Sequence, residues 1–350
     1  MGIISITLQD LRFRARQFLI AVIGAGLVFA MGILLSGLAA GFSVEITQTV
    51  DAMHAQAWVT AAGVPGRVAA LPAIPAATAA EVALAPGVTK ADPIIVVPQA
   101  AFEGANTRSL VMIGALPGGL GSSSVDAGHP VRGNGEAVVD NRIDMNLGQH
   151  FTVSGVRFTV VGTVSNRTMT AGVPDVYVTL HDAQAAIYGG RPLANAVLTS
   201  VTPSVVPPGM AVHTNQEMEA ASLSQMAAGV SSISSSRLFM WVIAAFIVAA
   251  LVYVTALERT RDFAVLKALG SSSGMLFVGL AFQAVLVALA AAAVAALISN
   301  FMTGLFAQPV DIPGSAFVIL PLTALAVGIL SSLAALRRAV SADPAVAFAG

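Results

Sequence analysis

Cysteine is absent from the 350 residues, which excludes disulfides, thiolate metal sites and a cysteine nucleophile. Charge is scarce as well: Asp, Glu, Lys and Arg make up 10% of the chain, against about a quarter in soluble domains. The charges sum to −1, so there is no basic excess from which to build a nucleic-acid surface. G-x-x-x-x-G-K-[ST] and H-E-x-x-H do not occur, and with them go a phosphate-cradling P-loop of that kind and a helical zinc-protease site. The five histidines, His54, His129, His150, His181 and His213, are scattered without ligand spacing and are expected to be surface or structural residues. Asp140 and Asp144 flank Arg142. Nothing else converges on them in sequence, so a solvated surface pair is expected rather than an acid–base couple.

What is abundant is apolar. Hydrophobic residues form 56% of the chain and the mean hydropathy is +0.82, which describes a membrane protein. A helix needs about 20 apolar residues to cross the roughly 30 Å hydrocarbon core, and a charge at its centre costs about 2.5–3.5 kcal/mol. Four stretches meet that test: 18–42, 237–257 (charge-free from Leu238), 275–298 and 314–336. The expected fold is therefore membrane α-helical, with four transmembrane helices arranged one plus three. Between the first two lies a polar, Pro- and Gly-punctuated insert, 43–236, long enough for a domain of its own.

Lys and Arg in the short flanks set the orientation. Arg12, Arg14 and Arg16 precede the first span, Arg259, Arg261 and Lys267 follow the second, and Arg337 and Arg338 follow the fourth; the 299–313 loop has none. Both termini and the tail 337–350 are thus expected in the cytoplasm, with 43–236 and 299–313 outside a plasma (inner) membrane. A cleaved signal peptide also fits the N-terminal outline, but the apolar run is too long for a typical signal core. In 1–17 and into the first span, Ile4, Leu8, Leu11, Ala15 and Phe18 recur at helical spacing with the arginines elsewhere, so 1–17 reads as an amphipathic helix on the inner surface.

The insert reads as mixed α/β. A short helix is expected over 78–85, closed by Pro86-Gly87, and strands over 94–97, 110–113, 137–139, 151–153, 157–164, 176–179 and 196–199. Ser154-Gly155 suits a hairpin turn, and a compact β unit is expected over about 110–180. Leu223, Met226, Val230 and Ile233 recur at helical spacing and suggest either a stalk entering the second span or a helix packed on its own domain.

Within the spans no Asp, Glu, Lys, Arg or His lies deep enough to bind a coupling ion. Gln283 is the most polar residue there and is expected to bond its amide between helices. Gly37 and Gly41 have a small-xxx-small spacing that hints at close helix pairing. Energy must therefore come from elsewhere, which draws attention to 258–274, where the densest cluster of charges follows an apolar run. Glu258 with Arg261 and Arg259 with Asp262 are spaced for helix-surface pairing, while Phe263, Val265, Leu266 and Leu269 add apolar contact. Gly270 suits a helix C-terminal residue ahead of a turn back into the membrane. Spacing alone leaves two readings open: a positive-inside flank, or a docking helix.

ERTRDFAVLKALGSS, from Glu258 to Ser272, resembles the signature of FtsX/MacB/LolC-type ABC transporter permeases, E-R-x-R-E-[FI]-x-[VIL]-x-[KR]-A-[LI]-G-A-[ST], with Asp262 in place of Glu and Ser271 in place of Ala. LRRAVSADPAVAFAG at the C-terminus is similar to the family's ending, from which Phe348 and Gly350 depart. PGVTKADPIIV and GEAVVDNRIDMNLGQHFTVSGVRFTVVGTV resemble its periplasmic core domain. The resemblance implies a permease dimer, homodimeric or heterodimeric, that recruits a separate ABC-type ATPase through 258–274. Glu258, Arg259, Arg261, Asp262, Phe263, Lys267 and Gly270 are then docking residues. ATP and Mg would be held by the partner ATPase, with no cofactor or catalytic residue on this chain. The ATPase would move the extracytoplasmic domains to export or extract a peptide, drug, lipid or lipoprotein. An extracytoplasmic adaptor, a lipoprotein or a hydrolase and the membrane lipid are the further partners implied. A signalling complex that activates a cell-wall hydrolase is the alternative. Small-solute import, of an amino acid for example, ranks below both because the spans offer no polar path.

Overall fold

The computed structural model describes residues 15–64, 66–103, 106–169, 171–258, 265, 270, 272–306, 310–319, 322–323, 325–326 and 329–330. They form two compact units, one of residues 41–228, the other of the described residues before 41 and from 229 on. In chain order the elements are α1 (Ala15–Ala52), β1 (Ala57–Ala61), β2 (Ile74–Pro75), α2 (Thr78–Val82), β3 (Ala91–Glu103), β4 (Asn106–Ala115) and β5 (Ala127–Gly128). There follow β6 (Glu136–Asp140), β7 (His150–Val153), β8 (Val156–Val164), β9 (Thr168–Met169), β10 (Val173–Thr179), α3 (Leu180–Tyr188), β11 (Leu193–Ala194), β12 (Ala196–Thr199), β13 (Met210–Thr214), α4 (Asn215–Glu258) and α5 (Ser273–Met302).

Three helices among the described residues are long and apolar enough to cross a membrane: Phe18–Ala52, Asn215–Thr255 and Gly274–Met302. Of the fourth expected span, 314–336, the described residues are 314–319, 322–323, 325–326 and 329–330, helical from 316 on. Two of the three outrun their apolar windows. At 1.5 Å per residue, the 38 residues of α1 extend about 57 Å and the 44 of α4 about 66 Å, far more than the hydrocarbon core requires. The helix that holds the first expected span continues through Ser43–Ala52, and it stops where His54 takes a left-handed φ of 53°. α4 starts with a capping box, Thr214-x-x-Glu217. The Thr214 hydroxyl accepts the Glu217 N–H at 3.2 Å while the Glu217 carboxylate accepts the Thr214 N–H at 2.8 Å. Leu223, Met226, Val230 and Ile233 form the half-buried face of this one continuous helix.

Most strands of the extracytoplasmic unit join one eleven-stranded sheet, ordered β13-β1-β12-β3-β4-β10-β6-β8-β5, with β7 on β3 and β8, and β9 on β10. It is much wider than the unit expected over 110–180, because β1, β3, β12 and β13 extend it at one side. Side chains alternate across it with period two. Ile94, Val96, Val111, Ile113, Val138 and Tyr177 fill one core with Trp58 and Met218. Ile95, Leu110, Met112, Val139, Val176 and Val178 fill the other, with Phe158 and Ala183 of α3. Burial on both faces explains the continuous apolar runs.

β3 passes through Pro93 and Pro98, well beyond the 94–97 expected. Its first residues pair with β12 and those from Ile95 on with β4, so each proline has a partner on one side only, as at a sheet edge. The expected hairpin forms, Val153 pairing with Val156 around Ser154 (φ 48°) and Gly155 (φ 84°). α2 is shorter than the 78–85 expected. α3 follows β10 directly and packs on β4 at Gly114, where a Cβ would collide with Ala183.

Candidate functional site

The charged segment between the second and third spans begins at Glu258, the exposed last residue of α4. At its far end Gly270 takes a φ of +93°, a region in which L residues are strained. Nothing lies within 4 Å of where its Cβ would be, so the constraint there is on the backbone and not on space. Two residues on, the Ser272 hydroxyl accepts the Met275 N–H at 3.3 Å and caps α5. Of the residues expected to dock a partner, Arg259, Arg261, Asp262, Phe263 and Lys267 lie outside the described residues.

The three span helices share a core of Ala25, Phe29 and Ile33 from α1, Ala244 and Val248 from α4, and a run of alanines with Leu276 and Leu280 from α5. Small residues let these backbones approach closely. A Cβ at Gly26 would come within 3.0 Å of Val294, and one at Gly32 within 2.7 Å of the Trp241 ring nitrogen. Gly37 serves differently from the helix pairing expected of it. Its close neighbours are Val310 and Ile312, and its carbonyl accepts the Asp311 N–H at 3.1 Å, so a loop, not a helix, occupies that notch. Arg237 stands 5.5 Å over the Trp241 ring and donates to the Ser36 hydroxyl at 3.3 Å.

Gln283 also departs from expectation. It is sealed in the bundle, yet its amide nitrogen has no acceptor among the described residues. The α5 face that joins the shared core is alanine and leucine, which offer none.

In the extracytoplasmic unit the structure corrects the reading of Asp140 and Asp144. Asp144 is exposed, but Asp140 is fully buried at the end of β6. Its two oxygens accept the N–H groups of Arg142 at 2.9 Å and Arg167 at 2.6 Å. Burial raises its pKa and these hydrogen bonds oppose the rise. Beside it stands Asp175, the lone charge in the β10 sequence VPDVYVT. Asp175 is wholly buried with one oxygen unpartnered, and burial, then Asp140, then Glu45 push its pKa well above the usual carboxylate range. Tyr177 is pushed up as well, chiefly by burial and then by Asp175.

Glu45 comes from the extension of α1. Its carboxylate accepts the Ala171 N–H at 3.0 Å and the Gly172 N–H at 2.7 Å, while Thr49, one turn on, donates to the Thr168 carbonyl at 3.2 Å. The Arg167 guanidinium donates to the Gln48 carbonyl at 3.4 Å. The helix is thus fastened to Arg167 and Thr168 at the start of β9 and to Ala171 and Gly172 just ahead of β10. Sequence reasoning missed this cluster; its one visible signal was a carboxylate in the middle of each of two apolar runs. No group of three or more His, Asp or Glu among the described residues could hold a metal ion.

Comparison with known proteins follows the same division of the chain. The model of the MacB-like periplasmic core domain matches residues 18–221, and that of the FtsX-like permease C-terminal region matches 235–344. Uncharacterized ABC transporter permeases of Mycobacterium bovis and Mycobacterium tuberculosis are 36% identical over 343 residues, covering 98% of each chain. A second Mycobacterium tuberculosis permease is 35% identical over the same length. The periplasmic region of MacB from Actinobacillus actinomycetemcomitans aligns with 49% of this chain and 92% of its own, at 12% identity and a TM-score of 0.35.

Proposed function

The chain belongs to the FtsX-like ABC transporter permeases, with a MacB-like periplasmic core domain, and from that membership we propose that it couples ATP hydrolysis by a separate ATPase subunit to movement of its extracytoplasmic domain. The work done is export or extraction of a peptide, drug, lipid or lipoprotein. ATP and Mg are bound by the partner, which docks on the 258–274 segment in the cytoplasm. Both termini lie on that side too, and two permease copies act together.

The observation that carries this reading is the charged, glycine-closed segment set between two apolar helices, α4 and α5, with Gly270 left-handed and Ser272 capping the return. α1 and α4 each include span residues and extracytoplasmic residues without interruption. An unbroken helix is a stiff link along which a push can travel. The apolar stretches 18–42, 238–257, 275–298 and 314–336, in turn, contain no Asp, Glu, Lys, Arg or His on which an ion gradient would act.

The test pairs Glu258→Ala with Asp262→Ala in the full-length protein, read by crosslinked co-purification from native membranes. Loss of the ATPase and of its stimulation, at unchanged membrane levels of the permease, is expected. Normal recruitment and stimulation would remove the docking role. A lipoprotein or export adaptor recovered with the unsubstituted complex supports extraction or export, whereas a cell-wall hydrolase turns the reading to signalling.

A further inference from the structure

Within the extracytoplasmic unit, α1, the turn at 67–70 and α4 enclose a groove of about 340 Å³, within the size range of small-molecule sites. Ile46, Val68, Pro98, Met169 and Met226 make its wall apolar. Two thioethers in that wall suit a ligand of variable shape, because methionine is unbranched and polarizable. The hydroxyls along it are already engaged: Thr49 donates to the Glu45 and Thr168 carbonyls, and Ser222 accepts the Val68 N–H at 3.4 Å. Gln225, an exposed residue of α4, is the other polar side chain of the lining.

Arg67 is the one charged residue lining the groove. Among the described residues no carboxylate pairs with its guanidinium. That combination discriminates among ligands. A cation would meet a like charge. A polar peptide would find the Gln225 carboxamide for one of its backbone pairs and leave the others without partners against an apolar wall, at a cost of about 1–3 kcal/mol for each. A ligand with an apolar chain and one anionic end satisfies both halves, since guanidinium matches carboxylate and phosphate oxygens in pairs.

We propose that this groove binds an anionic amphiphile, its chain against Ile46, Met169 and Met226 and its carboxylate or phosphate on Arg67. The site stands on its own lining and does not depend on the ATPase assignment. Labelling can succeed where ATPase capture fails, and the reverse.

The experiment uses the full chain in nanodiscs of zwitterionic lipid, photolabelled with diazirine-bearing dodecanoate and, in parallel, with the uncharged dodecanol analogue. Label is expected in peptides containing 46–49, 67–70 and 222–226, with the carboxylate exceeding the alcohol about tenfold, the worth of one charge-assisted contact. Arg67→Gln should abolish that preference, and Met226→Trp, which fills the groove, should remove the label from both probes. Arg132→Gln, away from the groove, controls for general charge effects. A diazirine-bearing phosphatidylglycerol supplied in the disc separates a membrane lipid from a free amphiphile as the source: labelling at the same peptides assigns the former, and labelling by dodecanoate alone the latter. Label spread over the apolar spans without enrichment in the groove, or equal labelling by acid and alcohol, would overturn the proposal.

Discussion

The carboxylate of Glu45 accepts the backbone N–H of Gly172 at 2.7 Å, joining residues 127 apart in the chain. The same side chain holds Ala171, whose φ of 68° places a non-glycine residue in the left-handed region directly before a left-handed glycine. A strained turn persists only when its surroundings fix it, and Glu45 is what fixes this one. Replacing Glu45 by Ala leaves two donors without their acceptor and is expected to cost about 2–4 kcal/mol. Thermal unfolding of the full-length protein, with Trp241→Phe in both the parent and the variant so that the fluorescence comes from buried Trp58, reads it. A melting temperature unchanged within a degree would show that the clasp contributes nothing.

Asp175 gives a pH dependence with a definite sign. Its folded pKa is raised above its unfolded value, so the folded state retains a proton that the unfolded chain releases. The domain is then fully relieved of the penalty below the unfolded pKa, and loses stability as pH rises from there to the folded pKa. Asp140, shifted the same way, adds to the slope. Asp175→Asn cannot ionise and is expected to raise the melting temperature by several degrees at pH 7 and to change it little near pH 4. Arg167, Glu45 and Tyr177 face the same cluster and are unaltered by the substitution, so equal shifts at both pH values would assign the effect to packing.

Gly270→Val tests the coupling segment through its backbone. With open space around the position, the cost comes from the left-handed conformation, about 1–2 kcal/mol. Membrane levels should hold while ATPase stimulation by the permease falls several-fold, with Gly270→Asn, which tolerates that conformation better, retaining more. Full activity in the valine variant would show that the turn has no need of a glycine.

Among the described residues Gly32 is the tightest notch between span helices. A methyl group there would sit 2.7 Å from the Trp241 ring nitrogen, and an indole cannot swing aside as a flexible chain end does. Gly32→Ala is expected to destabilise the bundle by about 1–3 kcal/mol, seen as faster proteolysis in detergent. Gly24→Ala, at a position with nothing within 4 Å, is the matched control. Equal behaviour of the two would mean that Trp241 is free to move.

Composition and charge placement settle most of what this protein is. Scarcity of charge forces its apolar runs into lipid, and the family signature at Glu258–Ser272 is a local string of residues that needs no tertiary structure to be read. The hairpin at Ser154-Gly155 is local in the same way, since two left-handed positions specify the turn. Other features depend on groups brought together from far along the chain. Nothing near Glu45 in sequence indicates that it reaches Gly172, and nothing near Asp140 indicates burial beside Asp175. The full width of the sheet rests on β1 and β13, which pair across 150 residues. The ends of the span helices were also beyond reach, because hydropathy marks where lipid ends and a helix continues for as long as its hydrogen bonds and packing support it. Sequence determined the solvent for each segment; the tertiary structure decided which buried polar groups meet, because only folding sets the distances on which those interactions depend.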